Sequence, residues 1–593
     1  MGPPQVPERR HIALLEERPL FSAAVFALVT LTLGAQLART APPDMAFLLY
    51  AAGRVLDGAK LYRDVVEINP PLIVWLNIPI VLLARATHLS EFLVYRLASG
   101  AAVGALFSLC YRVMRWYAFP DQPAYGRYCL LLLCFALFPL AAEDLGQREH
   151  FVLALLAPYI LLVTARLRGR EPPFGEALGL GILAGIAIAL KPHFALAWLA
   201  LEAFRLTRGS ARLTPELIGT VVFLVAYAAT VILIAPEFLT MASALGPLYL
   251  RYLHAPFYSL FVLAPGALLV LVALLAAAVL RRSSRHPVLW ALLAAEVVAC
   301  FLSGAAQQKG LRYHFYPSFA LAFVLLGLVA VDVPANAARL STRLYGRVAR
   351  VLTATIVVVV LGTAIVDAAG GSPADRRARA QSEDLAEFVR AHADGRPVAV
   401  LSYHIAGAFP LVNYAGVSLA SRFPHLWLLP ASYWDSLEVA TPLVYHTVAQ
   451  MRPPERYLWD AVHQDLLQAQ PGLILVLRPA RDVAPNGLRR LHYIRYFERD
   501  PDLAALFSRY QLLATKGEYD VYERLRDHAA RTGPPPSSEL GQLDVLRPQL
   551  REVRLEIIDP AFLAGLLVFA AIWCISLVAK RRETSACVPA TAK

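Results

Sequence analysis

Residues 44–72 read DMAFLLYAAGRVLDGAKLYRDVVEINPPL, and the fold turns on where this stretch lies relative to a membrane. It carries Asp44, Asp57, Asp64 and Glu67 directly after an apolar run from Leu20 to Leu37, which Arg9, Arg10 and Arg18 precede. Roughly 18 apolar residues behind a basic leader are long enough to span a bilayer, so we expect an uncleaved first span with its N-terminus in the cytoplasm. The acids then emerge on the far side.

Bulk composition agrees. Of 593 residues, 58% are hydrophobic and only 17% charged, too apolar for a soluble chain of this length. The expected class is a polytopic α-helical membrane protein. The formal charge of +12 does not point to nucleic acid, because the arginines sit in small groups between apolar runs, as positive-inside topology requires. Cys110, Cys129, Cys134, Cys300, Cys574 and Cys587 offer neither a disulfide framework nor metal-type spacing.

Charge parity settles two doubtful segments. Pro70 to Thr87 contains Pro70, Pro71, Pro79 and Asn77, and a crossing here would put the loops with Arg112, Arg115 and Arg127 and with Arg166, Arg168 and Arg170 outside. An interfacial amphipathic helix keeps both loops inside. Gly175 to Arg205 is interrupted at Lys191 and Pro192, and is expected to form two short helices meeting at an outward tip. The remaining runs, through Val351–Val366 and a last span at Pro560–Ala579, bring the total to about twelve crossings, every arginine-rich turn falling inside.

Three regions follow: a transmembrane domain over 1–367, an extracytoplasmic α/β domain over 368–556, and a last span with a cytoplasmic tail over 557–593. In the second, Pro397–Tyr403, Gly416–Arg422 and Leu473–Arg478 are expected strands, and Tyr510–Thr515 with Tyr519–Leu525 a hairpin around Gly517. Helices are expected at Ser382–His392, Tyr433–Met451 and Glu455–Gln470. A proline-rich linker, Thr532–Ser538, leads to the last span.

Asp44 follows Pro42 and Pro43 and precedes a helical pattern, so it is placed to cap a helix; with three further acids in the same loop it is also placed for proton transfer or cation binding. Glu143, Asp144, Arg148, Glu149 and His150 crowd a second outer loop, more ionisable groups than a helix cap needs. Cations gather on the same side, at Lys191 with His193, at Arg251 with His254, and at Lys309, Arg312 and His314 in the stretch QQKGLRYH. Snorkelling to headgroups accounts for any one of them, but together on the outer face they point to an anionic ligand such as a phosphate.

The order of these elements resembles the glycosyltransferases of the GT-C superfamily. The elements are a first span, an acidic outer loop with GAKLYRD and then PPL, a second acidic loop, a Gly-rich span ending in Lys-Pro, a late Lys/Arg/Tyr-His loop and an extracytoplasmic α/β domain. Within the superfamily the chain is similar to the dolichyl-phosphate-mannose mannosyltransferases and the lipid A aminoarabinose transferases. The first-loop acidic pair of that family is only half present, since Met45 follows Asp44. The resemblance implies inverting transfer of a sugar from a polyprenyl-phosphate donor, on the periplasmic face of a bacterial inner membrane, to a glycan, lipid or protein acceptor. Asp44 would be the base. Glu143, Asp144 and Glu67 would bind acceptor or cation, and Lys309, Arg312 and His314, with Lys191 and Arg148, would bind the donor phosphate. A divalent cation, Mg2+ or Mn2+, on Asp44 and Asp144 is the cofactor the resemblance allows. Other readings are a polysaccharide ligase or polymerase with a lipid-diphosphate donor, and a lipid-linked-glycan transporter or assembly protein.

Overall fold

The computed structural model describes residues 18–209, 213–332 apart from 263 and 265, 362, 373–437, 443–478, 488 and 491–525. The expected spans Val351–Val366 and Pro560–Ala579, the basic loop from Arg339 to Arg350, the linker Thr532–Ser538 and the side chain of Glu143 lie outside the described residues.

The membrane part runs α1 (Arg18–Ala38), α2 (Pro43–Leu56), α3 (Leu72–Thr87), α4 (Glu91–Val113), α5 (Pro123–Leu137), α6 (Arg148–Leu167), α7 (Phe174–Leu190), α8 (Ala195–Thr207), α9 (Pro215–Ile234), α10 (Glu237–Arg251), α11 (Ala267–Leu280), α12 (Pro287–Ala305) and α13 (Arg312–Asp332). Among the described residues, seven helices are long and apolar enough to cross a bilayer: α1, α4, α5, α6, α9, α12 and α13. This is a multi-pass membrane protein. The break expected at Lys191 is present as a turn over Pro192–Phe194 between α7 and α8. The segment at 70–87 is the short helix α3, with Pro79 inside it, packed on α2 and α4.

Helices α6 and α13 form the centre of the bundle. Both are apolar on all sides, and nearly every residue of each is buried, as expected of helices with neighbours on every face. On one flank α7 and α9 approach closely because glycines face each other. A Cβ at Gly181 would lie 1.9 Å from the Glu216 carbonyl oxygen, and one at Gly219 would lie 2.3 Å from that of Leu178. The close approach buries Glu216, which accepts two 2.9 Å hydrogen bonds from Arg166 at the end of α6.

The extramembranous part is a small α/β domain. Helix α14 (Pro373–His392) precedes β1 (Val398–Leu401), and α15 (Pro453–Ala469) precedes β2 (Leu473–Leu477). The hairpin β3 (Tyr510–Lys516) and β4 (Tyr519–Arg524) turns at Gly517, whose φ of +54° suits glycine. The sheet order is β1-β2-β4-β3. β1 and β2 are parallel with Val398 opposite Leu473, and the other pairs are antiparallel.

Two expectations about this domain need correction. Residues 416–422 form no ladder strand: they meet the sheet at a single bridge, where Val398 bonds both Ser418 and Ala420 at 2.9 Å, and the chain then bends away, the Arg422 carbonyl accepting from Val66 N in the loop after α2. Among the described residues, the helix expected over Tyr433–Met451 is present at Trp434–Leu437, with a 3-10 turn at Val448–Gln450, and residues 443–447 are not helical. Tyr433 (2.6 Å) and His446 (2.7 Å) of that stretch instead bind the buried carboxylate of Glu455, which Tyr496 (2.9 Å) also binds.

The α7–α9 contact makes a prediction. Gly181→Val inserts a branched side chain where even a Cβ meets backbone, and should destabilise the protein by about 1–3 kcal/mol or more. Thermal unfolding of the purified protein in detergent measures this; an unchanged midpoint would mean that the two helices do not pack this closely.

Candidate active site

Helix α2 starts at Pro43 after Pro42, a residue pair whose fixed φ suits a helix start. Asp44 therefore lies inside the first turn rather than at the cap, and no side-chain capping bond is made there. The other acids of the stretch are engaged locally. Asp57 binds Arg85 at 2.8 Å, and Asp64 accepts from Lys60 N at 2.8 Å. Glu67 Oε1 accepts from Ile68 N, Asn69 N and Asn69 Nδ2 at 2.6–2.8 Å, which holds the chain on its way into Pro70 and Pro71. Asp44 reaches further: its charge bears on Arg148, Lys191, Tyr249 and Tyr313, which come from four other parts of the chain.

The second loop meets it from α6. Asp144 closes a 3-10 turn over Pro139–Asp144, and Gln147, not Asp144, is the N-cap of α6. The turn is set by Gly146, whose φ is +87° and whose carbonyl accepts from Tyr95 Oη at 2.5 Å. A Cβ there would come within 2.9 Å of the Tyr95 ring. His150 is structural: Nδ1 accepts from Gly146 N at 3.1 Å and Nε2 donates to Leu137 O at 2.8 Å. The first two residues of α6, Arg148 and Glu149, are thereby held in the cluster, both almost fully buried.

Glu149 pairs with Lys191 at 2.9 Å, and His314 Nε2 stands 3.9 Å from the same oxygen. The helix break after α7 is what brings Lys191 to this point. Asp144 Oδ2 stands 3.7 Å from Arg312 Nε at the start of α13. Gln307 is 2.6 Å from His193 Nε2, tying the α12–α13 loop to the same break. Arg148 is left with two nitrogens, Nε and Nη1, that are buried and make no hydrogen bond, although its charge faces Glu149, Asp44, Glu67 and Tyr313. An under-bonded guanidinium in a buried site is costly, and Arg is suited to bind phosphate in two-pronged fashion.

Most of the sequence-selected residues meet here: Asp44, Asp144, Glu67, Arg148, Lys191, Arg312 and His314. Lys309 borders the cluster, its charge bearing on His314, but its ammonium group is already engaged. Its ammonium group donates to the Tyr249 carbonyl at 2.5 Å and to the Tyr252 carbonyl, and lies 4.5 Å from the Tyr249 ring centroid. Burial pushes its pKa down to about 8. Arg251, also a candidate cation, bonds Asp435 at 2.8 Å in the α/β domain. Gln307 and Tyr313, from the stretch QQKGLRYH, and Glu149, from the second acidic loop, also belong to the cluster, as does Tyr249, which no short motif marks. The signal for Glu149 was the density of charge in residues 143–150.

The site is roofed by the α/β domain. Phe409 packs on Phe47 and Tyr50 of α2 at ring-centroid distances of 5.4 and 5.3 Å. Asn413 Nδ2 donates to Ala46 O at 3.2 Å, and Leu419 N donates to Tyr50 Oη at 3.0 Å. Tyr249 and Tyr252 of the α10 segment pack on Trp427.

The carboxylates do not fit a divalent cation well. Among the described residues, the group of three His, Cys, Asp or Glu whose ligand atoms come within 4.8 Å of one another is His463, Asp500 and Asp502, far along the chain, where Asp500 caps a short helix. The charge of Asp44 bears on Arg148 and Lys191, and Asp144 stands 3.7 Å from Arg312.

Among solved structures, the chain is similar to ArnT from Cupriavidus metallidurans bound to undecaprenyl phosphate, with a TM-score of 0.50 and 14% identity over 87% of this chain and 99% of that one. The apo state of the same protein gives 0.48 and 14% over 85% and 97%. The architecture is thus a GT-C fold. No family model matches the sequence, and no curated protein matches it.

Arg148 and Lys191 make different predictions for stability. Lys191→Met leaves Glu149 buried without its ion-pair partner and should cost about 3–5 kcal/mol. Arg148→Gln removes a cation whose Nε and Nη1 make no hydrogen bond, so it should cost less than Lys191→Met, the remaining loss coming from the acids its charge faces. Parallel melts of the two variants check this, and a loss in Arg148→Gln as large as that in Lys191→Met would show that its guanidinium is bonded within the protein.

Proposed function

We propose that this protein is a membrane glycosyltransferase that moves a sugar from a polyprenyl-phosphate donor to an acceptor on the outer face of the membrane, with inversion and with Asp44 as the base. The observation that carries the reading is the buried Arg148 with its two unbonded nitrogens beside Asp44. The chemistry asks for a base on one side of the anomeric carbon and positive charge on the leaving phosphate on the other. The acceptor hydroxyl oxygen bonds to the anomeric carbon as its proton passes to Asp44. The bond from that carbon to the phosphate oxygen breaks, and its electron pair leaves with the polyprenyl phosphate.

Departure raises the negative charge on the phosphate, so cations fixed beforehand favour the transition state over the bound donor. Arg148 is the first candidate for this contact. Lys191, held by Glu149, adds charge behind it, and Arg312 on Asp144 and His314 flank it. Lys309 acts differently in this reading: by holding the Tyr249 and Tyr252 carbonyls it fixes the segment that covers the site. The positive charge comes from side chains, so no step needs a metal. A ligand related to undecaprenyl phosphate, which the similar ArnT structure binds, would lie with its tail among the spans and its phosphate at this cluster.

The outer-face placement and the cytoplasmic termini rest on the distribution of arginine. The α/β domain, fixed on α2, is then periplasmic and limits which acceptor reaches Asp44.

Two measurements test the reading. In membranes supplied with radiolabelled polyprenyl-phosphate sugars, transfer from one donor should fall roughly 100-fold or more in Asp44→Asn at equal abundance. Equal transfer by both proteins would remove Asp44 from the chemistry, and transfer only from diphosphate-linked donors would contradict the proposed donor class. Secondly, wild-type transfer should survive EDTA. Its loss, restored by Mg2+ or Mn2+, would show that the carboxylates do hold a metal.

A further inference from the structure

Helix α2, which carries Asp44, also forms one wall of a second pocket. A cavity of about 730 Å³ lies between the second half of α2, the α3–α4 connection and the α/β domain. Arg54, Asp57, Arg85, Glu91 and Arg396 line it, so its walls carry charge of both signs. It shares no described residue with the cluster around Arg148. Tyr50, Gly53, Arg54 and Asp57 recur at helical spacing along one face of α2, and Asp44 stands on another face of the same helix.

Small residues hold the cavity open. Gly395 and Gly416 line it at turns with φ of +69° and +67°, and a Cβ at either would meet nothing within 4 Å. Gly53 lets Arg85 reach over α2, where a Cβ would lie 3.3 Å from Nη2. The Arg85 guanidinium donates to both Asp57 oxygens, at 2.8 and 3.1 Å, and to the Gly53 carbonyl at 3.4 Å. That pair is matched within itself. Half-buried Glu91 faces the charges of Arg85 and Asp57 but bonds neither, since Arg85 is already taken. Arg54, whose charge bears on Tyr50 and Asp57, and exposed Arg396 are the other cations of the wall. Asn413 Nδ2 is used on Ala46 O, while its Oδ1 is buried and makes no hydrogen bond.

The cavity sits at a membrane boundary. Glu91 is the first residue of the span α4, and Phe92 beside it packs on Tyr414 of the α/β domain with ring centroids 5.3 Å apart. The surface around this point is apolar: Leu82 and Leu83 in the second half of α3, Leu89 in the connection and Leu97 in α4 are all exposed.

We infer that this cavity binds the headgroup of a phospholipid that carries a primary amine beside its phosphate, as phosphatidylethanolamine does. Arg54 and Arg396 offer guanidinium groups to the phosphate, and Glu91 with Asn413 Oδ1 accepts from the ammonium. The exposed leucines take the acyl chains. A headgroup with a phosphate and no amine would leave Glu91 facing negative charge, and a quaternary amine has no N–H to donate. A soluble phosphoamine would make no use of the leucines.

The test uses full-length protein purified in neutral detergent, offered phosphatidylethanolamine, phosphatidylglycerol, phosphatidylcholine or soluble phosphoethanolamine. Bound lipid is read by native mass spectrometry and stabilisation by the unfolding midpoint. The wild type should retain phosphatidylethanolamine over both other lipids. Glu91→Gln should lower its preference over phosphatidylglycerol roughly fivefold, and Arg396→Gln should lower retention of both lipids by a similar factor. Arg396→Gln, on an exposed residue, serves alone if Glu91→Gln does not fold. Equal retention of the three lipids by the wild type, or unchanged retention and preference in the folded variants, would overturn the inference. So would equal stabilisation by phosphoethanolamine, which would make the ligand a soluble phosphoamine.

Discussion

A guanidinium with two unbonded nitrogens, buried at the first turn of one of the two most enclosed membrane helices, is the feature around which the candidate site is arranged. Arg148 has no direct hydrogen-bonded acid to satisfy it, because the adjacent Glu149 is drawn to Lys191 by a 2.9 Å ion pair. The helix break after α7 makes that pair possible, and the Gly146 turn with its Tyr95 and His150 bonds fixes where α6 begins. Buried charge left incompletely bonded is unfavourable to the fold, and such a group is retained where it has a ligand to meet.

The acid that faces it is placed by a different means. Asp44 stands on α2, a short helix with no membrane span of its own, and α2 is gripped from above by the α/β domain through Phe409, Asn413 and the backbone at Leu419. Val66, in the loop after α2, bonds the strand-like segment at Arg422. The domain therefore does more than cover the cluster: it holds the acid-bearing helix at a set height over Arg148. On the α10 side Lys309 performs a similar service, binding carbonyls of the segment that meets Trp427.

Much of this was legible from residue patterns. Apolar runs between arginine clusters locate the spans because their chemistry is one-dimensional, and the Lys191–Pro192 interruption announces a break whatever surrounds it. Asp44 was legible from its loop. The ranking of the cations was not. Lys309 and Arg148 both look like free charges in sequence, and only the packing of Tyr249 and Tyr252 shows that one is engaged by carbonyls while the other is left to face Asp44. The lost helix after Tyr433 failed for a related reason. Tyr433 and His446 bind Glu455, and Tyr496 joins them from further along, a contact across the chain that no local period records.

The most direct test of this account is a structure of the full-length protein with a polyprenyl phosphate bound. The account predicts the phosphate within hydrogen-bond distance of the Arg148 Nε and Nη1 atoms, on the side of the cluster facing Asp44, with the Glu149–Lys191 pair intact. A phosphate seated at Lys309 instead, or an Arg148 guanidinium still unbonded with ligand present, would contradict it.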